Sequence, residues 1–253
     1  MAPLRKPLQG LWNVVRFNWH FYLMAFSGAL VWGLGAAVAQ AVRPYVGVGL
    51  VLLLAPVLLS LAVTAYIYDY SDLYSLNWLP VAAVPPSALL TVNAGFDEIS
   101  PMVRHKYAPD SLQVIDFYDP SRHTEVSIRR ARRAYPPFPG TRAVDTRTAL
   151  PLPDGSIDLA FAFLAAHEIR DAAERAAFFR EIQRVLKPTG TIVVTEHLRD
   201  PANFMAYTIG FLHFHSRRTW LTTFRAAGLA LEREIKTTPF ITTFLLRKHG
   251  SAA

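Results

Sequence analysis

Residues 150–197 constrain the fold of this chain most, because two apolar stretches enclose a helix-forming one there. Residues 157–164 and 192–196 are apolar runs of strand length, and residues 172–186 carry apolar side chains at helical spacing. Between the helix and the second strand, residues 187–190 read Lys-Pro-Thr-Gly, which predicts a helix stop and a turn. Two strands joined through a helix form the repeating unit of a parallel sheet, so an α/β domain is predicted.

Strands and helices alternate through the rest of residues 88–248. Further strands are predicted at residues 89–93, 112–117, 141–145, 229–236 and 240–248, and further helices at residues 99–107, 124–134 and 217–227. The predicted fold class is α/β: a Rossmann-like, doubly wound, mostly parallel sheet with an antiparallel end strand.

Two long apolar stretches precede this domain. Residues 21–40 and 45–68 contain no Asp, Glu, Lys or Arg over 20 and 24 residues. Each exceeds the roughly 18 residues that indicate a membrane-spanning helix. We therefore predict a transmembrane hairpin with a short turn at Arg43-Pro44. A cleavable signal peptide, indicated by Ala39-Gln40-Ala41, and a buried pair of soluble helices are the alternatives.

The predicted organisation has four parts: a lead (1–20), the hairpin (21–68), a juxtamembrane linker (69–87) and the α/β domain (88–248). Arg5, Lys6 and Arg16 precede the first apolar stretch, and only Arg43 lies in the turn. Because basic residues stay on the cytoplasmic side, we expect a two-pass protein of the cell's inner (cytoplasmic) membrane with its N-terminus and α/β domain in the cytoplasm.

The net charge is +7, and the densest group of basic residues is the four arginines of residues 129–133. These arginines are interpreted as a solvated helix face, a lipid-headgroup contact or, last, a nucleic-acid contact. A lipid bilayer is the simpler partner for a chain with two predicted spans, and no nucleic-acid partner is expected. The chain has no cysteine, which excludes a thiolate metal site and a catalytic cysteine.

Polar residues follow several predicted strands, where ligands bind in open α/β sheets. Gly95 lies in the turn after the first strand and permits close approach of a ligand. Asp116, with Asp119 close by, follows the second strand at the spacing of a ribose-binding carboxylate. Either acid would alternatively cap the next helix, and Asp145-Thr146 after the third strand would cap a turn.

Two acidic and basic pairs follow the next strands. His167-Glu168 and Glu196-His197 are expected to project into one crevice as catalytic residues. A histidine or glutamate there would take a proton from an O–H or N–H nucleophile or orient it. Two histidines and two glutamates also suit a metal, but the HExxH spacing is absent, so no metal site is expected.

The segments LPLPDGSID (150–158) and VLKPTG (185–190), with His167 between them, resemble the class I S-adenosylmethionine (SAM) methyltransferases of the type 11-like group. The resemblance implies SAM as cofactor and methyl transfer (EC 2.1.1.-) as activity. It implies four donor-binding roles. Asn93, Gly95 and Asp97 would form the glycine turn, and Asp116 or Asp119 would bind the ribose. Asp145 and Thr146 would contact the adenine, and Tyr70 and Tyr74 would approach the donor from the tyrosine-rich linker. The family usually has an acid and three alternating glycines at the turn, whereas this chain keeps Gly95 only.

Membrane anchoring predicts a hydrophobic or amphiphilic small-molecule acceptor, such as a quinone precursor, a lipid, an isoprenoid or an apolar thiol. Residues 199–218 are too apolar for a plain surface loop. They are expected to form an acceptor lid, to enter the membrane interface, or to pack on the domain or hairpin. The reduced glycine turn supports an alternative, a non-catalytic scaffold or assembly factor of a membrane complex that keeps the fold.

Overall fold

A computed structural model describes residues 5–80 and 85–250 and contains one seven-stranded sheet. The strands are β1 (Ala88–Asn93), β2 (Ser111–Asp116), β3 (Arg142–Ala143), β4 (Ile157–Phe163), β5 (Leu186–His197), β6 (Leu229–Thr238) and β7 (Ile241–Lys248). Their order across the sheet is β3-β2-β1-β4-β5-β7-β6. Strands β1 to β5 pair in parallel, whereas β7 runs antiparallel to both β5 and β6. The predicted fold class is confirmed.

Seven α-helices accompany the sheet in the described residues: α1 (Gln9–Val38), α2 (Val46–Ala65), α3 (Ser100–Tyr107), α4 (Val126–Ala134), α5 (Ala172–Val185), α6 (Pro201–Tyr207) and α7 (Arg217–Ala226). Short 3₁₀ segments cover Gln40–Tyr45, Leu73–Ser75, Ala166–Glu168 and Thr208–His213, and a π-helical turn covers Tyr66–Tyr70.

Apolar clusters cover both faces of the sheet, because successive strand residues point to opposite faces. Leu90 faces a cluster that includes Phe178 of α5 and Trp220 of α7. Its neighbour Leu89 faces a second cluster, which includes Ile67 from the end of the apolar hairpin. The hairpin end is therefore part of the hydrophobic core of the domain.

Two predicted elements differ in extent from the structure. Strand β3 has only two residues, both exposed, because it is an edge strand with one partner. Residues 187–190 do not form a separate turn, since β5 begins at Leu186 and the register against β4 shifts between Ile157 and Leu159. At this irregularity a Cβ on Gly190 would lie 2.9 Å from the carbonyl oxygen of Ile157, so the position requires glycine.

The two apolar helices are both long and apolar enough to cross a membrane. Helix α1 begins at Gln9, so most of the predicted lead is helical and continuous with the first apolar stretch. The backbone leaves helical geometry at Asn18 (φ −117°, ψ 19°), which divides α1 into two parts. The part before Asn18 packs on the α/β domain, with Asn13 and Phe17 buried.

The first turn of α1 is capped by the other end of the hairpin. The residue before the helix, Leu8, makes no side-chain cap. Instead the two carboxylate oxygens of Asp69 accept hydrogen bonds from the backbone N–H groups of Gly10 and Leu11, each at 2.8 Å. A carboxylate at a helix N-terminus is favourable because it satisfies free N–H groups and opposes the positive end of the helix dipole.

Gly10 lies against the Tyr68 side chain so closely that an added Cβ would collide with the Tyr68 Cβ. We expect Gly10→Ala to lower the thermal unfolding midpoint in detergent, because overpacking costs about 1–3 kcal/mol. Gly33→Ala in the same helix is the matched control, since no atom of the described residues lies within 4 Å of its Cβ position. Equal midpoints for the two variants would contradict this packing.

Candidate functional site

A cavity of about 230 Å³ lies at the carboxyl ends of β1 and β4. The turn after β1 forms one wall, and Phe163 and Leu164 at the end of β4 form the floor. The opposite wall comes from the base of the hairpin and comprises Gly10, Asn13, Val14, Phe17 and Asn18 of α1 together with Tyr68 and Tyr74. The first apolar helix therefore closes the crevice in which α/β sheets bind ligands.

The turn after β1 is shaped by Asn93 and Gly95. Gly95 has φ +95°, a conformation that glycine adopts without strain. The Asn93 side chain accepts a hydrogen bond from the Gly95 N–H at 3.0 Å and donates one to the Ile115 carbonyl at 3.2 Å. A carboxylate at position 93 would lack the second hydrogen bond, so asparagine connects the turn to the neighbouring strand.

Asp97 has one satisfied and one unsatisfied carboxylate oxygen. Its Oδ1 accepts hydrogen bonds from the backbone N–H groups of Ile99 and Ser100 and so caps α3. Its Oδ2 is buried and has no hydrogen-bond partner among the described residues. Burial raises the pKa of this carboxyl group. Because Asp97 lines the cavity, a cationic ligand would satisfy the free oxygen.

Glu98 connects the same turn to the hairpin. Its Oε1 accepts hydrogen bonds from Arg5 at 2.7 Å and from Gln9 and Asn13, each at 3.3 Å. Its Oε2 accepts one from the Tyr74 hydroxyl at 3.0 Å. We call this set the Glu98 network. It fixes the base of α1 and the linker against the cavity.

The linker tyrosines have different positions. Tyr74 lines the cavity, as predicted for a donor-site residue, whereas Tyr70 is 74% exposed and is not among the lining residues. The second linker tyrosine in the cavity is Tyr68, which sequence reasoning missed. The tyrosine-rich composition indicated that this segment lies near the site. Which tyrosines face the cavity depends on the rotation of the π-helical turn Tyr66–Tyr70, which composition does not reveal.

Asp116 lies at the end of β2 beside Gly95, as the ribose assignment requires. Its Oδ1 accepts a hydrogen bond from the Tyr118 N–H, and its Oδ2 pairs with Arg132 at 2.5 Å. Both residues line a smaller cavity of about 50 Å³, which shares Asn93, Phe96 and Asp97 with the larger one. The Arg132 side chain thus occupies the space next to the proposed ribose carboxylate.

The remaining predicted donor-site residues lie outside both cavities. Asp119 is half-buried and accepts hydrogen bonds from the backbone and hydroxyl of Ser121. Asp145 pairs with Arg147 at 2.8 Å, and hydrogen bonds from Arg147 lower the pKa of Asp145 to about 2. Thr146 is buried and its hydroxyl donates to Glu174. The structure does not bring these three into contact with Asp116.

His167, Glu168 and Glu196 lie together after β4 and β5. The His167 Nδ1 is 2.6 Å from Oε2 of Glu196, and the His167 backbone N–H donates to the other Glu196 oxygen at 3.2 Å. Burial alone would lower the pKa of His167, but Glu196 and Glu168 together outweigh burial and raise the pKa to about 10. The Nε2 atom of His167 faces Glu168 at 3.5 Å.

His213 completes this group from the segment after α6. Its Nε2 lies 3.4 Å from Oε1 of Glu168, and its Nδ1 lies 3.4 Å from Oε1 of Glu125. The His213 and His167 rings meet edge to face at 5.1 Å between centroids. We call His167, Glu168 and His213 the histidine–glutamate cluster. Sequence reasoning missed His213 and Glu125, because neither is near the other members in sequence.

His197 does not join the cluster, because it follows Glu196 directly on β5 and points to the other face. Its Nε2 shares a hydrogen bond with the Tyr68 hydroxyl at 2.8 Å, and its Nδ1 contacts Oδ1 of Asn203 at 2.9 Å. Its ring stacks on Phe214. Burial lowers the pKa of His197 to about 4, so the imidazole is neutral at physiological pH.

Residues 118–194 match the family model described as a methyltransferase domain. A chain in the complex between the Haloferax volcanii Trm112 methyltransferase activator and a methyltransferase aligns with 71% of this chain and 89% of its own length. Its TM-score is 0.52 and its identity is 15%. A SAM-dependent methyltransferase from Mesorhizobium loti aligns over 70% and 97% of the two chains, with a TM-score of 0.48 and 18% identity. No curated protein matches the sequence.

At these identities a structural match establishes the fold alone, and the family model adds the domain type. The fold is that of class I methyltransferases. Together the matched domain and the fold support a SAM-dependent methyltransferase with S-adenosylmethionine as its cofactor.

The buried neutral His197 predicts a pH effect on stability. An unfolded histidine titrates near pH 6.5, so between about pH 6.5 and pH 4 the unfolded chain binds a proton that folded His197 does not. Stability therefore falls with decreasing pH in this window, and His197→Gln should reduce that slope in denaturant titrations. His249→Gln, at an exposed histidine, should leave the slope unchanged. Equal slopes in wild type and His197→Gln would refute the assignment.

Proposed function

We propose that this chain is a membrane-anchored methyltransferase whose acceptor is a hydrophobic or amphiphilic small molecule. The observation that carries the proposal is that α1, an apolar helix long enough to cross a bilayer, also forms a wall of the cavity at the glycine turn. A molecule dissolved in the membrane would reach the cavity along this helix. Quinone precursors, lipids, isoprenoids and apolar thiols are the acceptor classes with this property.

The residues at the larger cavity fit the cationic end of SAM. When bound, SAM supplies a methyl group activated by its positively charged sulfur. The free Oδ2 of Asp97 is a buried carboxylate oxygen that lacks a partner among the described residues. Gly95 allows the backbone to approach a ligand, and Tyr68 and Tyr74 exclude water from the opposite side. We assign the cationic end of SAM to Asp97 and the ribose to Asp116.

The ribose assignment requires the Arg132 side chain to leave Asp116. Arg132 is 37% exposed and lies on the surface helix α4, so it has room to turn into solvent. Asp145 and Thr146 follow β3 at the same edge of the sheet and remain proposals for the adenine contact, and Asp119 remains a second choice for the ribose.

We place the polar atom of the acceptor near His167 and Glu168. Glu196 holds the His167 ring through Nδ1, which directs Nε2 away from the core. The Phe214 ring lies next to His167 at 6.1 Å between centroids and supplies an apolar contact there. Methyl transfer needs alignment and exclusion of water more than proton transfer, so these residues would mainly position the acceptor.

The segment after β5 supports contact with the membrane interface. Its most exposed apolar residues are Phe204, Met205, Ile209 and Leu212, each at least 47% exposed. Helix α6, which carries Phe204 and Met205, packs against α2 of the apolar hairpin. Exposed apolar side chains beside a membrane span suit insertion into the bilayer surface.

The alternative function is a non-catalytic scaffold or assembly factor. The observation that favours it is the Arg132–Asp116 ion pair, which fills the space beside Gly95 where a nucleoside would bind. The Haloferax volcanii structure contains a methyltransferase with a protein activator, and a protein partner of this chain would fit the scaffold as well as an enzyme. Binding of SAM to the purified chain distinguishes the two functions.

Asp97→Asn should weaken SAM binding without unfolding the protein. Asparagine keeps an oxygen for the cap of α3 but removes the charge, and a hydrogen bond to a charged group contributes about 1.5–3 kcal/mol. We therefore expect affinity to fall about 10- to 100-fold by calorimetry. A fall for SAM but not for S-adenosylhomocysteine would assign Asp97 to the sulfonium, and a fall for both would assign it to the ammonium.

Two further variants complete this experiment. Asp116→Ala should also weaken binding of both ligands, through the ribose. Asp110→Asn, at an exposed acid on the surface, is the control and should bind like wild type. If the wild type binds neither ligand, the scaffold function replaces the enzyme. Wild-type affinity in Asp97→Asn would disprove the Asp97 assignment alone.

The absence of cysteine makes the topology directly testable. We expect a single cysteine at Tyr45, which is 63% exposed in the hairpin turn, to react with an impermeant maleimide in intact cells. A single cysteine at Thr189, exposed on the α/β domain, should react only after permeabilisation. The reverse pattern would invert the topology, and release of the protein by alkaline washing would rule out a membrane-spanning hairpin.

A further inference from the structure

The histidine–glutamate cluster has the donor set of a metal centre. Two imidazole nitrogens and one carboxylate oxygen, from His167, Glu168 and His213, lie within 4.8 Å of one another. Two histidines and one glutamate form the protein ligands of several catalytic zinc sites, with the fourth position open. We propose that these three residues bind a divalent transition-metal cation such as Zn²⁺ at the acceptor edge of the domain.

The distances within the cluster favour a shared cation over direct hydrogen bonds. Zinc bonds of about 2.0–2.1 Å at tetrahedral angles separate two ligand atoms by about 3.3 Å. The Glu168 oxygen lies 3.5 Å from Nε2 of His167 and 3.4 Å from Nε2 of His213. Nitrogen–oxygen hydrogen bonds are shorter, about 2.7–3.2 Å. The spacing therefore fits two ligands on one ion.

The far nitrogen of each imidazole has a carboxylate beside it. Nδ1 of His167 is 2.6 Å from Glu196, which is fully buried, and Nδ1 of His213 is 3.4 Å from Glu125. Metal-binding histidines usually donate their second N–H to such a group, which fixes the ring and leaves the other nitrogen free for the metal. Both Nε2 atoms here face the shared Glu168 oxygen.

The backbone and the charges also suit a divalent ion. The Arg170 guanidinium donates to the carbonyl oxygens of both His167 and His213 and so connects the two histidine-bearing segments. A metal displaces the protons of the imidazole nitrogens that bind it. With both imidazoles neutral, three carboxylates (Glu125, Glu168 and Glu196) and this guanidinium have a formal charge of −2. A divalent cation balances that charge.

The site is reachable from solvent. The side chains of His167, Glu168 and His213 are 11%, 21% and 32% exposed, so an ion has an entry path and an open coordination position. If the proposed function holds, a hydroxyl or thiol acceptor bound there would lose its proton to solvent more readily, because the cation stabilises the oxygen or sulfur anion. The metal site itself does not depend on that step.

The test is Zn²⁺ titration of the full chain in detergent, without a histidine tag, followed by calorimetry and by the visible absorption of Co²⁺ in place of Zn²⁺. Wild type should bind one equivalent. His213→Ala removes a ligand that is not in the core and should weaken binding more than 100-fold, beyond the 10- to 100-fold loss typical of an outer carboxylate. Glu125→Gln should show that smaller loss, and His105→Ala, at an exposed histidine on α3, should bind like wild type.

Equal Zn²⁺ affinity in wild type and His213→Ala would overturn the proposal, as would no binding by wild type. SAM calorimetry on the same preparations separates this result from the proposed function. If wild type binds SAM but not Zn²⁺, the metal site is disproved and the proposed function stands. If wild type binds Zn²⁺ but not SAM, the proposed donor site is disproved and the metal site stands.

Discussion

The arrangement of this molecule depends on one half-buried acidic side chain, Glu98. Its two oxygens accept hydrogen bonds from the N-terminal segment, the start of α1 and the linker tyrosine Tyr74. Hydrogen bonds to a charged group contribute about 1.5–3 kcal/mol each, and an unpaired buried carboxylate would be costly. The Glu98 network therefore connects the apolar hairpin to the glycine turn, and the cavity lies between them.

The order of strands and helices was predictable because it depends on local periodicity. Residues 157–164 and 192–196 became β4 and the end of β5, and the antiparallel end of the sheet was also predicted correctly. The extent of β3 was not, because an edge strand is set by its one partner. The continuation of β5 through residues 187–190 could not be predicted for a similar reason. It depends on the close approach of Gly190 to Ile157, which is a contact between strands.

The candidate site was predicted in part, and the failures share a cause. Gly95, Asp97, Asp116 and His167 could be singled out because each lies at a strand end or within four residues of one, and strand ends meet at one edge of a parallel sheet. Glu98, Arg132 and His213 act through partners far away in sequence, which no local pattern reveals. Alternation along β5 also explains why Glu196 and His197 serve different clusters rather than one crevice.

The break in α1 at Asn18 has a mechanical consequence. It separates a segment bound to the α/β domain from an apolar segment whose side chains are mostly exposed. A straight rod of this length would carry every change of tilt, forced by a thicker or thinner bilayer, into the cavity wall. If the hairpin spans a membrane as proposed, the break at Asn18 lies where the rod leaves the domain and would take up that rotation. In the proposed membrane-anchored enzyme, this arrangement would let the donor site keep its shape while the anchor adapts to the bilayer.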